Sequence, residues 1–231
     1  LQYLGRAKEA VAVAKSLVRN PRHPKYNDPA AKSDDGKEGS SAHGRRRLIE
    51  ALATFELWDE AIALAGTPYL EPGETFAERI QRLRLLGVAY FRTGNPEKGR
   101  EQILALEKAL GETRTARYAA ADEAEEKAKK EKKPAADIAK AMADAMQKVG
   151  ERNGSVEKAL AELRGWDALA KKDLVAAKKQ FANAGDANRG RLARAWLAVG
   201  DTEKAVQTAR NEVGPNETRV DRLAMLVEVL H

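Results

Sequence analysis

Cysteine is absent from all 231 residues of this chain. That excludes disulfide frameworks, thiolate metal sites and a cysteine nucleophile, and it leaves the redox compartment open. Histidine is nearly as scarce, at three residues. Neither a His-Glu-x-x-His helix nor any other paired-His helix occurs, so no metal site and no cofactor is expected. Aromatic residues are 5% of the chain and do not interleave with the arginines, as a base-stacking nucleic-acid surface requires. No apolar run approaches the ~18 residues of a membrane span, and none is expected.

What is present is helical in character. Hydrophobic residues make up 43% and charged residues 33%, with Ala, Leu, Glu, Lys and Arg dominant. The net charge of +6 comes from 41 basic and 35 acidic side chains, interspersed along the chain. An anionic polymer or membrane surface as partner therefore finds only weak support in the charge.

The chain repeats a phrase. Residues 89–99 read Ala-Tyr-Phe-Arg-Thr-Gly-Asn-Pro-Glu-Lys-Gly, and residues 195–205 read Ala-Trp-Leu-Ala-Val-Gly-Asp-Thr-Glu-Lys-Ala. Each is the end of one amphipathic helix, a Gly stop, an Asn or Asp start and the first turn of the next helix. Gly94 and Gly200 suit a left-handed helix end. Asn95 and Asp201 suit N-caps, and Pro96 the first helical position. Ala89, Ala195, Gly99 and Ala205 are small where two helices cross closely; Tyr90 and Trp196 are large where the pair needs filling. A repeated helix-turn-helix predicts a stacked helical array.

The apolar spacing predicts a first helix over 2–19, ended by Asn20-Pro21, and helix pairs at 42–55 with 58–66 and 76–93 with 96–110. Residues 20–44, rich in Pro, Gly, Ser, Asp and His, read as an inserted loop. Ala61 and Gly99 stand 38 residues apart, and Ala177 and Ala205 stand 28 apart, as small positions on second helices. Residues 112–150 read as a projecting helical hairpin with its tip near Pro134. Glu123 with Lys127, Glu125 with Lys129 and Glu126 with Lys130 are i,i+4 pairs in the favourable order. Ala120, Ala121, Ala124 and Ala128 would pack against a coiled-coil seam of Ile138, Met142, Ala145 and Val149. A break is expected over 150–155, before Val156, Leu160 and Leu163 resume the pattern. The alternative for this region is a charged, frayed linker. Leu1 opens inside a helical pattern and Val220–Leu230 resembles the first helix of a further unit, so the chain reads as one repeat domain, 1–231, excised from a longer protein.

These positions resemble the tetratricopeptide repeat. Leu86-Gly87, Tyr90, Gly94-Asn95, Gly99 and Ile103 fall on that family's Leu-Gly, Tyr, turn, Ala and Tyr/Phe positions. Ala195-Trp196, Gly200-Asp201, Ala205 and Ala209 match more loosely; Ala61 with Ala65, Ala10 with Ala14 and Ala177 with Phe181 match the second-helix part. The family's first-helix Trp is replaced by Leu83, and no Pro follows residue 109. The resemblance implies an all-α, right-handed α-solenoid interrupted by the elongated hairpin insert. It also implies a non-catalytic scaffold whose first helices line a concave groove. Carrying those positions over places Arg46, Glu50, Arg84, Val88, Phe91, Arg92, Arg194 and Leu197 in the groove, with His43, Arg45, Arg47, Arg82 and Arg191 close by. Several arginines around an apolar strip suit a peptide with acidic groups or a neighbouring domain of the same chain. The bland reading of the same arginines is solubility, and a nucleic-acid-binding helical array is the alternative function. The whole also resembles the helical segments that precede thioredoxin- or peroxiredoxin-like domains in some bacterial extracytoplasmic proteins. That would make the chain an accessory to a redox domain lying outside it, in an extracytoplasmic compartment.

No acid–base pair or nucleophile motif is visible, so no catalytic residue is assigned. His23 and Asp34-Asp35 read as solvated loop residues, Ser40-Ser41 as a helix cap, and Asn216 as part of a helix start.

Overall fold

The structure, a computed structural model, describes residues 1–20, 39–73, 75–185, 189–213 and 217–231. All regular structure among them is helical. After a single 3₁₀ turn at Gln2–Leu4 come α1 (Ala7–Arg19), α2 (Ser40–Thr54), α3 (Trp58–Leu64), α4 (Phe76–Arg92) and α5 (Pro96–Lys130). These are followed by α6 (Ala135–Ala170), α7 (Leu174–Asn183), α8 (Arg189–Ala198), α9 (Thr202–Glu212) and α10 (Val220–Leu230). His23, Asp34-Asp35 and Asn216 lie outside the described residues, as does most of the 20–44 loop; its last residues, from Ser40, belong to α2.

Three boundaries differ from the sequence reading. Gly5, at φ 71°, separates the 3₁₀ turn from α1, so residues 2–19 are not one helix. Gly39, not a serine hydroxyl, stands at the start of α2, while Ser41 is buried and accepts from Arg45 Nη1 at 3.1 Å. The expected break over 150–155 is absent, because α6 passes through Gly150 and Gly154 without interruption. A glycine inside a helix costs about 1 kcal/mol, and apolar packing on both sides of this stretch outweighs that.

Local chemistry accounts for the helix starts. Thr75 Oγ1 accepts from Glu78 N at 3.2 Å while Glu78 Oε2 accepts from Thr75 N at 3.0 Å, a reciprocal capping box opening α4. Asn95, Asp173 and Asp201 cap α5, α7 and α9 by accepting from Lys98, Ala176 and Lys204 backbone N–H groups at 3.2, 2.9 and 3.2 Å.

The helix ends form a series. Glu56, Gly94, Lys132, Lys172 and Gly200 all have left-handed φ, between 51° and 79°. The next residue's N–H in each case returns to the carbonyl five residues back: Leu57 to Leu52, Asn95 to Tyr90, Lys133 to Ala128, Asp173 to Ala168, Asp201 to Trp196, all at 2.8–3.1 Å. This is the Schellman closure of a helix end. These five turns stand 38, 38, 40 and 28 residues apart, and the same closure ends the 3₁₀ turn, where Arg6 N–H beyond Gly5 returns to Leu1 at 3.1 Å. The turn at Lys132, between the two longest helices, belongs to the same series as the turns of the repeated phrase.

One apolar core runs from Val11 in α1 to Val229 in α10. Trp166, Phe181 and Trp196, from α6, α7 and α8, stack edge to face with centroids 5.3 and 6.1 Å apart. Ala61, Ala177 and Ala205 are fully buried, as their small size at helix crossings requires. At Gly44 backbone meets backbone: a Cβ there would lie 2.8 Å from Val18 N and 2.9 Å from Ala14 O, both backbone atoms of α1. α5 and α6 pack along their length and reverse direction over residues 131–134. Toward their tip the seam thins to Thr113, Ala121 and Ala128 on one side and half-buried Ile138, Met142, Ala145 and Val149 on the other. Glu125 and Lys129 pair at 2.7 Å on its surface.

Candidate partner-binding face

The even-numbered helices pack on one another. α2 meets α4, α4 meets α6, α8 meets both α2 and α10, and α10 meets the 3₁₀ turn. This arrangement decides what surrounds the eight residues expected to line a groove.

Arg84, from α4, is buried; its Nε donates to the carboxylate of Glu162 from α6. Arg191 of α8 approaches the same carboxylate at 3.3 Å, so one buried acid holds two buried guanidiniums from different helices. Burial pushes the Glu162 carboxyl up, but Arg191 and Arg84 with its hydrogen bond outweigh burial, leaving it below the usual carboxylate range. Burial likewise holds the Arg191 guanidinium below its ordinary range, against the pull of Glu162.

A second cluster lies nearer the surface. Arg92 Nη2 donates to Glu56 Oε2 at 2.9 Å and its guanidinium sits 5.2 Å over the Trp166 ring. Arg194 lies 4.0 Å from Glu56 Oε1 and grips Glu228 of α10 bidentately, Nε donating to Oε1 at 3.0 Å and Nη2 to Oε2 at 2.7 Å. Burial lowers the Arg194 guanidinium, and the hydrogen bond to Glu228 with the charge of Glu56 reverses that into a net rise.

The remaining five scatter by role. Glu50 accepts from Arg47 at 2.9 Å and from Gln2 at 3.3 Å. Arg46 is exposed and meets His43 Nδ1 at 3.1 Å. Val88 is buried in the core, and Phe91 covers Gly99, where a Cβ would meet its ring at 2.7 Å. Leu197 is half-buried against the core. Thus Arg92 and Arg194 are brought together, as are Arg84 and Arg191, and in each case carboxylates of this chain lie between them. The neighbours behave alike: Arg45 pairs with Glu71 at 2.9 Å, and Arg82 donates to the carbonyls of Leu70 and Ala65.

Sequence reasoning passed over Glu56, Glu162 and Glu228, the three acids that organise these arginines. Glu162 had a signal: it interrupts the apolar run Leu160-Ala161-Glu162-Leu163. A lone acid inside a core stripe needs a buried cation. Glu56 had another, since it occupies a turn position that Gly94 and Gly200 fill elsewhere.

No family model, curated protein or solved structure matches the chain.

Exposed apolar surface lies elsewhere. A groove of about 330 Å³ between the 3₁₀ turn, α1 and α2 is lined by Leu1, Ala10, Val13, Ala14 and Leu17, with His43 and Arg47 at its edge. The surface continues over the 3₁₀ turn to α10. Arg219 stacks 3.9 Å over the Tyr3 ring there, and a Cβ on Gly5 would lie 3.3 Å from Val220. Among the described residues no group of three His, Asp or Glu side chains is placed to hold a metal, and no helix is long and apolar enough to cross a membrane.

Proposed function

We propose that this chain is a non-catalytic interaction scaffold: a right-handed α-solenoid of tetratricopeptide-like helix pairs that holds a protein partner on its apolar surface. The observation that carries the reading is the recurrence of one left-handed closure at five helix ends, Glu56, Gly94, Lys132, Lys172 and Gly200. A repeated turn closing helix after helix is the signature of units that gain their core only by stacking. In this reading α5 and α6 are elongated members of the series.

The arginines then serve the scaffold. Arg84, Arg92, Arg191 and Arg194 tie four successive even-numbered helices and the α2–α3 turn through Glu56, Glu162 and Glu228. Recognition falls to apolar side chains, and the groove beside Val13 suits a segment of a protein partner that inserts apolar residues. Panning a random peptide library against the immobilised chain tests this. The expected result is a recurrent apolar motif whose binding is lost in Val13→Glu. Absence of any enriched motif, or binding indifferent to Val13→Glu, overturns the reading.

A further inference from the structure

The hairpin of α5 and α6 carries its charge unevenly. No residue between Leu110 and Val156 belongs to the apolar core of the array, so this part of the two helices stands clear as a rod. At 1.5 Å per residue the end of α5 lies about 30 Å beyond Leu110. Residues 127–140, around the tip, hold six lysines against Glu131 and Asp137. The fifteen residues before them hold five acids and two arginines. All six lysines are exposed. Lys129 is turned to Glu125 and Lys133 to Glu131, each at 2.7 Å. Lys130, Lys132 and Lys140 enter no ion pair among the described residues.

Helix-end stabilisation explains part of this cluster. Cations favour the last turn of a helix, where Lys127, Lys129 and Lys130 stand. It does not explain Lys132 and Lys133, which lie beyond that turn, or Lys140 in the second turn of α6. Lys132 also holds a left-handed φ of 54°, a conformation that favours glycine.

The directions of the lysines define the shape of a partner. Ala128 is the buried, inward residue at the end of α5. At about 100° per residue, Lys127, Lys129 and Lys130 spread over its three other sides. Lys140 stands two positions from half-buried Ile138, on the outward side of α6. The lysines therefore ring the apex, within about two helical turns of it, and line no single side. A ring about an apex meets a plane end on, whereas a strand calls for a stripe. The rod is two helices wide, about 20 Å, against about 12 Å for a DNA major groove. At the apex Pro134-Ala135-Ala136 offers no aromatic ring to stack on a base and no bulky apolar side chain to enter hydrocarbon.

We propose that the tip of the α5–α6 hairpin is an electrostatic docking surface for the anionic headgroups of a lipid bilayer, met end on and without insertion. Clusters of about four to eight basic residues bind such surfaces, each lysine contributing about fivefold to the partition. The array is then held off the membrane by the length of the rod.

Co-sedimentation of the full chain with vesicles tests this. The expected result is binding to equal parts phosphatidylcholine and phosphatidylserine, and none to phosphatidylcholine alone. Salt at about 1 M, where the screening length falls to about 3 Å, should release the chain. Lys130→Gln, Lys132→Gln and Lys140→Gln together break no ion pair. They should retain the native far-ultraviolet circular dichroism and lower the partition about a hundredfold. Lys8→Gln, Lys108→Gln and Lys179→Gln together remove the same charge from exposed sites elsewhere, and should leave binding within about twofold of native. A native chain that ignores the anionic vesicles, or an equal loss in both triple variants, overturns the proposal. Tighter binding to duplex DNA than to vesicles at equal phosphate concentration overturns it in favour of nucleic acid.

Discussion

Replacing Glu162 with leucine should be among the most destabilising single changes in this protein. Glu162 is 1% exposed, and Arg84 and Arg191 are each 8% exposed around it. A contact pair near a surface is worth about 4 kcal/mol of raw attraction at an effective dielectric of 20, but removing three charges from water offsets most of it. The intact trio therefore adds little net stability. Removing only its acid is different: two like-charged guanidiniums stay buried without their shared carboxylate. Breaking a buried pair in this way costs about 3–5 kcal/mol, which in a chain of this size lowers Tm by roughly 6–20 °C. The control is the triple variant Arg84→Met, Glu162→Leu, Arg191→Met. It should recover to within about 1 kcal/mol of the native chain, since an apolar replacement of a whole buried cluster is neutral or better. Nη2 of Arg84 has no acceptor among the described residues, which adds to the gain from its removal. Denaturant unfolding followed by circular dichroism measures all of this. A Glu162→Leu variant within about 1 kcal/mol of native, or a triple variant no better than the single, refutes the reasoning.

The same carboxylate sets an acid dependence. Its folded pKa lies below the ordinary 4.5, so its contribution is complete above that value and is lost as pH falls through the depressed one; thermal melts across acid pH should show this loss in the native chain and not in the triple variant. Gly44→Ala forces a Cβ against the α1 backbone and should cost about 1–3 kcal/mol in denaturant unfolding. Gly111→Ala, exposed in α5 with nothing within 4 Å, should add up to about 1 kcal/mol. Lys132→Gly, at φ 54°, should raise stability by about 1 kcal/mol by relieving the left-handed backbone, and a fall in stability would refute the assignment of that turn.

Much of the fold was legible along the chain because it is local. Gly94-Asn95 and Gly200-Asp201 declare a helix end and a helix start through φ preference and capping, which depend on a few adjacent residues. The turns at Glu56, Lys132 and Lys172 were harder to read, since no glycine marks them; packing of the helices on either side imposes the left-handed conformation on residues that resist it. Gly150 and Gly154 misled for the converse reason: two weak helix formers were overridden by the apolar residues that flank them.

The candidate groove was legible only in part. Helical spacing places Arg84 and Arg92 on the helix that ends before Gly94 and Arg194 on the helix that ends before Gly200, and that is a property of one helix at a time. What each guanidinium meets depends on residues 34 to 78 positions away: Glu56 for Arg92, Glu228 for Arg194, Glu162 for Arg84.

Sequence alone determined that this chain is helical, where its capped helices begin, and which small residues stand at the crossings, because backbone geometry and capping act over a few residues. Only the tertiary structure decided that the arginines face the protein's own carboxylates. Charge pairing and burial are settled by which helices come together, and that is a property of the whole packed array.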